Sequence, residues 1–154
     1  MTLRVLTITA HNRPQYLESV LESWYEAQTG HYWPTILNAE PVSDTVIQMC
    51  KDSRFLNSKT VVNDGLAGAL RNPYYALQRA FDVPGCTFAV LGEDDSIVSP
   101  DILDYFTRMS NLYEYDPTIF AVCSFTQEAR GQMDEVFRSR YFASVVWGIW
   151  RDRW

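Results

Sequence analysis

The sequence predicts an α/β fold, a mostly parallel central sheet with helices on both faces. Three observations carry that prediction. Short β-branched apolar runs alternate with segments whose apolar residues recur at helical spacing, and turn-forming residues punctuate the chain between them. The 154 residues, 47% of them hydrophobic and 14% aromatic, suffice for one packed core. A single domain over residues 1–154 is therefore expected.

The elements follow in order. "LRVLTITA" (3–10) alternates like a strand and is broken by "HNRP", after which Leu17, Val20, Leu21 and Trp24 recur at helical spacing in "QYLESVLESWYEA". "WPTILNAE" reads as a second strand and "SDTVIQMCKD" as a short helix capped by Ser43. "KTVVND" is a third strand, followed by a flexible "GLAGALRN" and a helix through "PYYALQRAF". Pro84-Gly85 precedes the strand "CTFAVLG"; Ser99 and Pro100 then open a helix running to about Tyr115, and "TIFAVCSF" is a further strand. "IWRDRW" is expected to be helical, with Trp147, Trp150 and Trp154 at helical spacing as one core-facing stripe. That stripe packs back on this domain or is covered by a partner subunit or a further segment. In such open sheets ligands bind beyond the carboxyl ends of the strands, so "HNR", "NAE" and "GEDD" are the loops that could form one crevice.

Composition narrows the function. A net charge of −6 argues against a phosphate-tracking surface, so a nucleic-acid partner is not expected. Cys50, Cys86 and Cys123 are odd in number, widely spaced and set in apolar surroundings, which suits buried thiols better than disulfides or zinc. No apolar run approaches a membrane span and the chain enters a strand pattern at once, so a cytoplasmic location is expected. Of the 13 basic residues only Lys51 and Lys59 are lysines; the rest are arginines, whose planar forks suit phosphate or carboxylate.

The feature that asks for an explanation is the run Glu93, Asp94, Asp95 directly after the apolar "FAVLG". Three adjacent carboxylates repel one another unless water solvates them or a cation binds them. At a strand end they suit Mg²⁺ or Mn²⁺, hard cations that take oxygen ligands and keep sites open for water and substrate phosphates. The alternative is an ordinary solvated turn.

The wider frame decides between the two. "FAVLGEDD" followed by "SPDILDYF" resembles the GT-A glycosyltransferases, which move a sugar from a nucleotide diphosphate, and especially the N-acetylglucosaminyltransferase I type and its bacterial family 2-like relatives. "LTITAHNRPQYLESVLESW", "ALRNPYYALQRAF" and "YFASVVWGIWRDRW" are similar to other segments of that family, in the same order. The resemblance implies a GT-A, Rossmann-like three-layer sandwich and a donor such as a UDP- or GDP-sugar, with Mn²⁺ or Mg²⁺ as cofactor. It makes Asp95 the metal ligand, places Asp94 toward the ribose or metal-bound water and gives Glu93 a supporting role. It sets Arg13 against the donor diphosphate, Glu40 as the acceptor of a hydrogen bond from the base, and Arg71 with Asn72 as residues that position the donor.

The resemblance also implies inverting transfer by a general base that lies beyond the Gly-Trp segment in relatives. The acceptor and base segment is expected to be missing after residue 154, so the chain is expected to be truncated at its C-terminus. Glu128, Asp134, Glu135 and Asp152 are the substitute candidates for the base. A donor-binding module without turnover, or half of a split transferase, is the competing reading. A phosphatase of the haloacid-dehalogenase type would need Asp-x-Asp near the start of the domain, which the mid-chain triplet beginning with Glu93 does not match.

Overall fold

Four of the six strands are almost wholly buried, as their apolar runs require, whereas residues 58–62 and 121–123 at the two sheet edges are partly exposed. The computed structural model describes residues 3–126 and 135–154. Strands β1 (Leu3–Ala10), β2 (Thr35–Ala39), β3 (Ser58–Val62) and β4 (Cys86–Glu93) run parallel; β6 (Trp147–Trp150) is antiparallel to β4, and β5 (Ala121–Cys123) antiparallel to β6. The sheet order is β3-β2-β1-β4-β6-β5.

Helices cover both faces. On one face α1 (Pro14–Ala27), α2 (Asp44–Lys51) and α4 (Ile102–Leu112) bury Leu17, Val20, Trp24, Val46, Leu103 and Phe106 against Leu6, Ile8, Leu37, Phe88 and Val90. On the other, α3 (Gly68–Asp82) packs Ala76, Leu77, Ala80 and Phe81 on Val5, Ile36, Ala89 and Leu91. The result is the three-layer sandwich expected. Ser43 caps α2, its side chain accepting from the Val46 N–H, again as read from the sequence. Among the described residues no helix is long and apolar enough to cross a membrane.

Two local expectations fail for physical reasons. Helix α3 begins at Gly68 and carries Pro73 inside it, so most of "GLAGALRN" is helix and not a flexible loop. Gly68 has φ +75, a conformation glycine adopts without strain, and its amide donates to the Glu40 carboxylate. The terminal tryptophans do not form a helical stripe: Trp147 and Trp150 lie in β6, and a 3₁₀ turn follows at Arg151–Arg153. Three residues apart on a strand means opposite faces. Trp147 joins the α3 side, whereas Trp150 packs edge-on to Phe88 on the other, so this domain buries both. Trp154 leans on Tyr74 and Phe81 and stays 44% exposed. Gly148 is needed between them, because an added Cβ would sit 2.6 Å from Phe88 Cε1.

Candidate active site

The strand order doubles back at β1: the chain steps outward from β1 to β3 and then returns to β4 on the other side of β1. Parallel neighbours whose connections diverge this way leave a crevice at their carboxyl ends, where ligands of open α/β sheets bind. A cleft of about 230 Å³ lies there, lined by Thr9, His11, Arg13, Glu40, Asn72 and Glu93 among others. All three loops singled out in the sequence reach it.

At its β1–β4 end the acidic run meets Arg13. Thr9 pairs with Glu93 in the sheet, so the residues that follow each strand are neighbours. Asp94 is only 3% exposed and accepts from the His11 backbone N–H (2.8 Å) and from Arg13 Nη2. Arg13 Nη1 donates to Asp95 (2.6 Å), so one guanidinium bridges two carboxylates. Both partners of that second bond remain open to solvent, Arg13 at 40% and Asp95 at 38%. Burial alone would lower the Arg13 pKa, but its bonds to and the charges of Asp94 and Asp95 outweigh that and raise it. Glu93 is half-buried, and burial followed by the charges of Asp95 and Asp94 pushes its carboxyl above the usual range. Burial, with Asp94 adding to it, lifts the Cys50 thiol to about 12, which removes it as a nucleophile.

The donor set here is hard oxygen, with one carboxylate tied down and one accessible. Among the described residues no three His, Cys, Asp or Glu side chains converge into a metal cage. Mg²⁺ and Mn²⁺ do not require one, since they bind through one or two carboxylates plus water and phosphate oxygens. The residues present fit such an ion, with Asp95 as the accessible ligand and Asp94 behind it.

The opposite end of the cleft is built differently. Glu40, at the end of β2, is fully buried, and its carboxylate accepts from Asn63 Nδ2 (3.2 Å) and from the backbone N–H groups of Ala67 (3.0 Å) and Gly68 (2.8 Å). It thereby caps α3, whose first amides have no helical acceptor and whose positive dipole end favours a carboxylate. In this arrangement the Glu40 carboxylate is engaged by protein donors at the cleft wall. Asn38, Asn63 and Arg79 surround it: Arg79 Nη1 donates to Oδ1 of Asn38 and of Asn63 (2.6 Å), and both asparagines donate to Asn72 Oδ1, Asn63 at 3.0 Å.

The other expected residues divide. Asn72 is buried and lines the cleft, but its neighbour Arg71 is exposed and does not. Asp152 sits in the 3₁₀ turn after Trp150, which pairs with Phe88; Arg151 in the same turn donates to the carbonyl of Cys86 (2.7 Å), at the start of β4. By strand rise this is about 20 Å from the acidic run, so Asp152 cannot be the base of a reaction there. Glu135 is exposed, and Glu128 and Asp134 lie outside the described residues.

Sequence reasoning missed Asn38, Asn63 and Arg79. One signal was available, a lone asparagine within the otherwise apolar strand "TILNA", because a buried polar side chain demands partners.

This topology and crevice define the GT-A fold of nucleotide-sugar glycosyltransferases. The family model described as the GNT-I family matches residues 69–154, more than half of the chain, and the chain belongs to that family. Among solved structures, TarS from S. aureus superposes with a TM-score of 0.60 at 16% identity, over 74% of this chain and 33% of that one. The mannosyltransferase PcManGT from Pyrobaculum calidifontis, in complex with GDP-Man and Mn²⁺, gives 0.59 at 19%, over 77% and 34%. The galactosyltransferase LgtC, in complex with donor and acceptor sugar analogs, gives 0.57 at 14%, over 96% and 57%. At these identities the likeness is one of fold, and the chain spans about a third of the length of the first two.

Proposed function

We propose that residues 1–154 are a single donor-binding domain of a metal-dependent, inverting glycosyltransferase that moves a sugar from a UDP- or GDP-sugar to an acceptor. The observation that supports this most is Arg13 bridging Asp94 and Asp95 at the reversal of strand order, in a chain of the GNT-I family. PcManGT, of the same fold, binds GDP-Man with Mn²⁺, and TarS has been captured with UDP-GlcNAc.

In this reading Asp95 holds a Mn²⁺ or Mg²⁺, with Asp94 toward the ribose or metal-bound water, and the ion would neutralise the donor's diphosphate and ease departure of the leaving group. Arg13, now paired with the carboxylates, turns its fork to the diphosphate oxygens, a geometry that arginine satisfies with two parallel bonds. Asp94, fixed by the His11 N–H, keeps the loop after β4 at the right height against β1. Glu93 supports that loop from the strand end. Glu40 contributes at one remove, by pinning the start of α3 where Ala69, Asn72 and Pro73 form the cleft wall.

Neither of the described base candidates, Glu135 and Asp152, lines the cleft. A donor-binding module, completed by a partner subunit or further segment, is the second reading; the 44% exposed Trp154 is the part of the expected tryptophan stripe still open to such cover. Two of the three free cysteines are buried, which suits a reducing compartment, and a cytoplasmic location belongs to this proposal.

Incubating the purified chain with labelled UDP- or GDP-sugars, Mn²⁺ and a panel of acceptors tests it. Donor retention, slow hydrolysis and negligible transfer are expected, because water can replace the acceptor and neither described base candidate, Glu135 or Asp152, lines the cleft. Robust transfer would place the base within this chain and direct mutagenesis to Glu128, Asp134 and Glu135. Failure to retain any donor would contradict the proposal.

A further inference from the structure

We infer that Ser23 on α1 is a positioning residue for Asp95, holding the loop that carries this carboxylate once a bound donor draws Arg13 away. This rests on Asp95 being the metal ligand of the proposed function. Ser23 does not line the cleft, so it acts through the loop.

Residues 94–101 join β4 to α4 and have little to locate them. Some of their hydrogen bonds are local: the Ser96 N–H donates to the Glu93 carbonyl (3.2 Å) and Ser99 Oγ to Asp101 (2.6 Å). These shape the loop without fixing where it sits. Four bonds tie it to other parts of the chain among the described residues. Arg13 makes two, to Asp94 and Asp95; the His11 N–H makes the third, to Asp94 (2.8 Å); and the Val98 N–H makes the fourth, donating to Ser23 Oγ (3.2 Å). The donor competes for both bonds of Arg13. When that guanidinium turns to a diphosphate, His11 holds the loop before Asp95 and Ser23 holds it after. Asp95 then stands between two anchors, its carboxylate open to the ion except for a 3.4 Å bond from Ser96 Oγ.

Ser23 is made for this anchor. It is 8% exposed, and its hydroxyl proton is committed to the Val20 carbonyl (2.8 Å), one turn back on the helix. A hydroxyl has one proton and two lone pairs, so that bond leaves the oxygen turned out as an acceptor for Val98. The Val98 side chain packs on the same core, but packing alone gives its N–H no acceptor. The next residue of α1 fixes the strand end: the Trp24 ring lies so close to Gly92 that an added Cβ would meet it at 3.0 Å. One turn of α1 therefore locates both the strand that enters the acidic run and the loop that leaves it. Ligand groups need such support to stay within about 0.5 Å of a working geometry.

Titration of UDP- and GDP-sugars with Mn²⁺ into the unmodified chain, Ser23→Ala and Ser23→Thr tests this. Ser23→Ala leaves the Val98 N–H without its acceptor and is expected to weaken the Mn²⁺-dependent affinity about tenfold, the scale seen when a support behind a metal ligand is removed. Uridine and guanosine, which need no ion, should bind as before. Ser23→Thr keeps the hydroxyl and should recover most of the lost affinity. Amide hydrogen exchange reads the anchor itself: the Val98 N–H should stay protected in the unmodified chain with donor and Mn²⁺ bound, and exchange about tenfold faster in Ser23→Ala. Should Ser23→Thr not fold, the exchange measurement decides alone. A Val98 amide that exchanges freely in the bound, unmodified chain, Mn²⁺-dependent affinity unchanged in Ser23→Ala, or a loss shared equally by uridine would overturn the inference and leave the donor cleft standing. Donor binding indifferent to Mn²⁺ in the unmodified chain would overturn it together with the metal reading.

Discussion

The two ends of the cleft use charge in opposite ways. At the β1–β4 end, the Arg13 guanidinium and the Asp95 carboxylate sit partly in solvent, with Asp94 buried behind them, and the Arg13–Asp95 bond is one that a ligand can exchange for its own. Across the cleft at the start of α3, a carboxylate and a guanidinium are linked through three asparagines with almost every polar atom satisfied internally. Exposed ion pairs contribute little to stability and remain free to rearrange, whereas a buried, fully bonded network is costly to disturb. Under the proposed function, the first end is the binding end and the second holds the cleft wall still.

That contrast is broken most directly at Glu40. Glu40→Ala leaves the N–H groups of Asn63, Ala67 and Gly68 without their acceptor, and should destabilise the fold by about 3 to 5 kcal/mol, as for removing one partner of a buried charged network. Melting followed by circular dichroism should fall by roughly 10 °C. A loss below about 1 kcal/mol would mean that this end is no more rigid than the other.

Arg13 should behave in the reverse manner. Arg13→Ala is expected to weaken UDP by about 1 to 3 kcal/mol while leaving uridine unaffected, since only the diphosphate carries charge for it to pair with. Its effect on stability should be smaller than that of Glu40→Ala, because Asp94 keeps the His11 N–H and the Arg13–Asp95 pair is solvent-exposed. Equal weakening of UDP and uridine in titration calorimetry would show instead that Arg13 shapes the fold.

The smallest expected effect is at Glu93. Its carboxyl pKa is raised in the folded state by burial and by Asp95 and Asp94, so the folded chain holds this proton more tightly than the unfolded one. Stability from this group is therefore greatest below the ordinary glutamate value and declines as pH rises through the raised one. Glu93→Gln should remove that slope and raise the melting temperature slightly at neutral pH. Parallel melting curves of the two proteins from pH 4 to 7, identical in slope, would contradict it.

The same division explains what the sequence revealed. The binding end is made of loops that directly follow strands, so local order along the chain exposes it: "GEDD" after "FAVL" and "HNR" after "LTITA" can be read without knowing any distant contact. The holding end depends on Asn38, Asn63, Asn72 and Arg79 coming together from β2, the end of β3 and α3, which no local pattern announces. Helix α3 was misread for the same reason. Gly65, Gly68 and Pro73 look like breakers, and only the carboxylate of Glu40, 28 residues earlier, makes Gly68 a helix start. Periodicity misled at the chain's end, where four residues of strand are too few to separate a helical from an extended repeat.

The central claim is that the cleft takes a nucleotide-diphosphate sugar through a divalent ion held at Asp95. Titration calorimetry of UDP- and GDP-sugars, with Mn²⁺ and with chelator, on the unmodified chain and on Asp95→Asn, tests it most directly. The account predicts binding that requires Mn²⁺ and disappears in Asp95→Asn, whose fold stays intact and whose melting temperature does not drop, because like charges in the acidic run have been relieved. Affinity that is the same with and without chelator, or the same in both proteins, would contradict it.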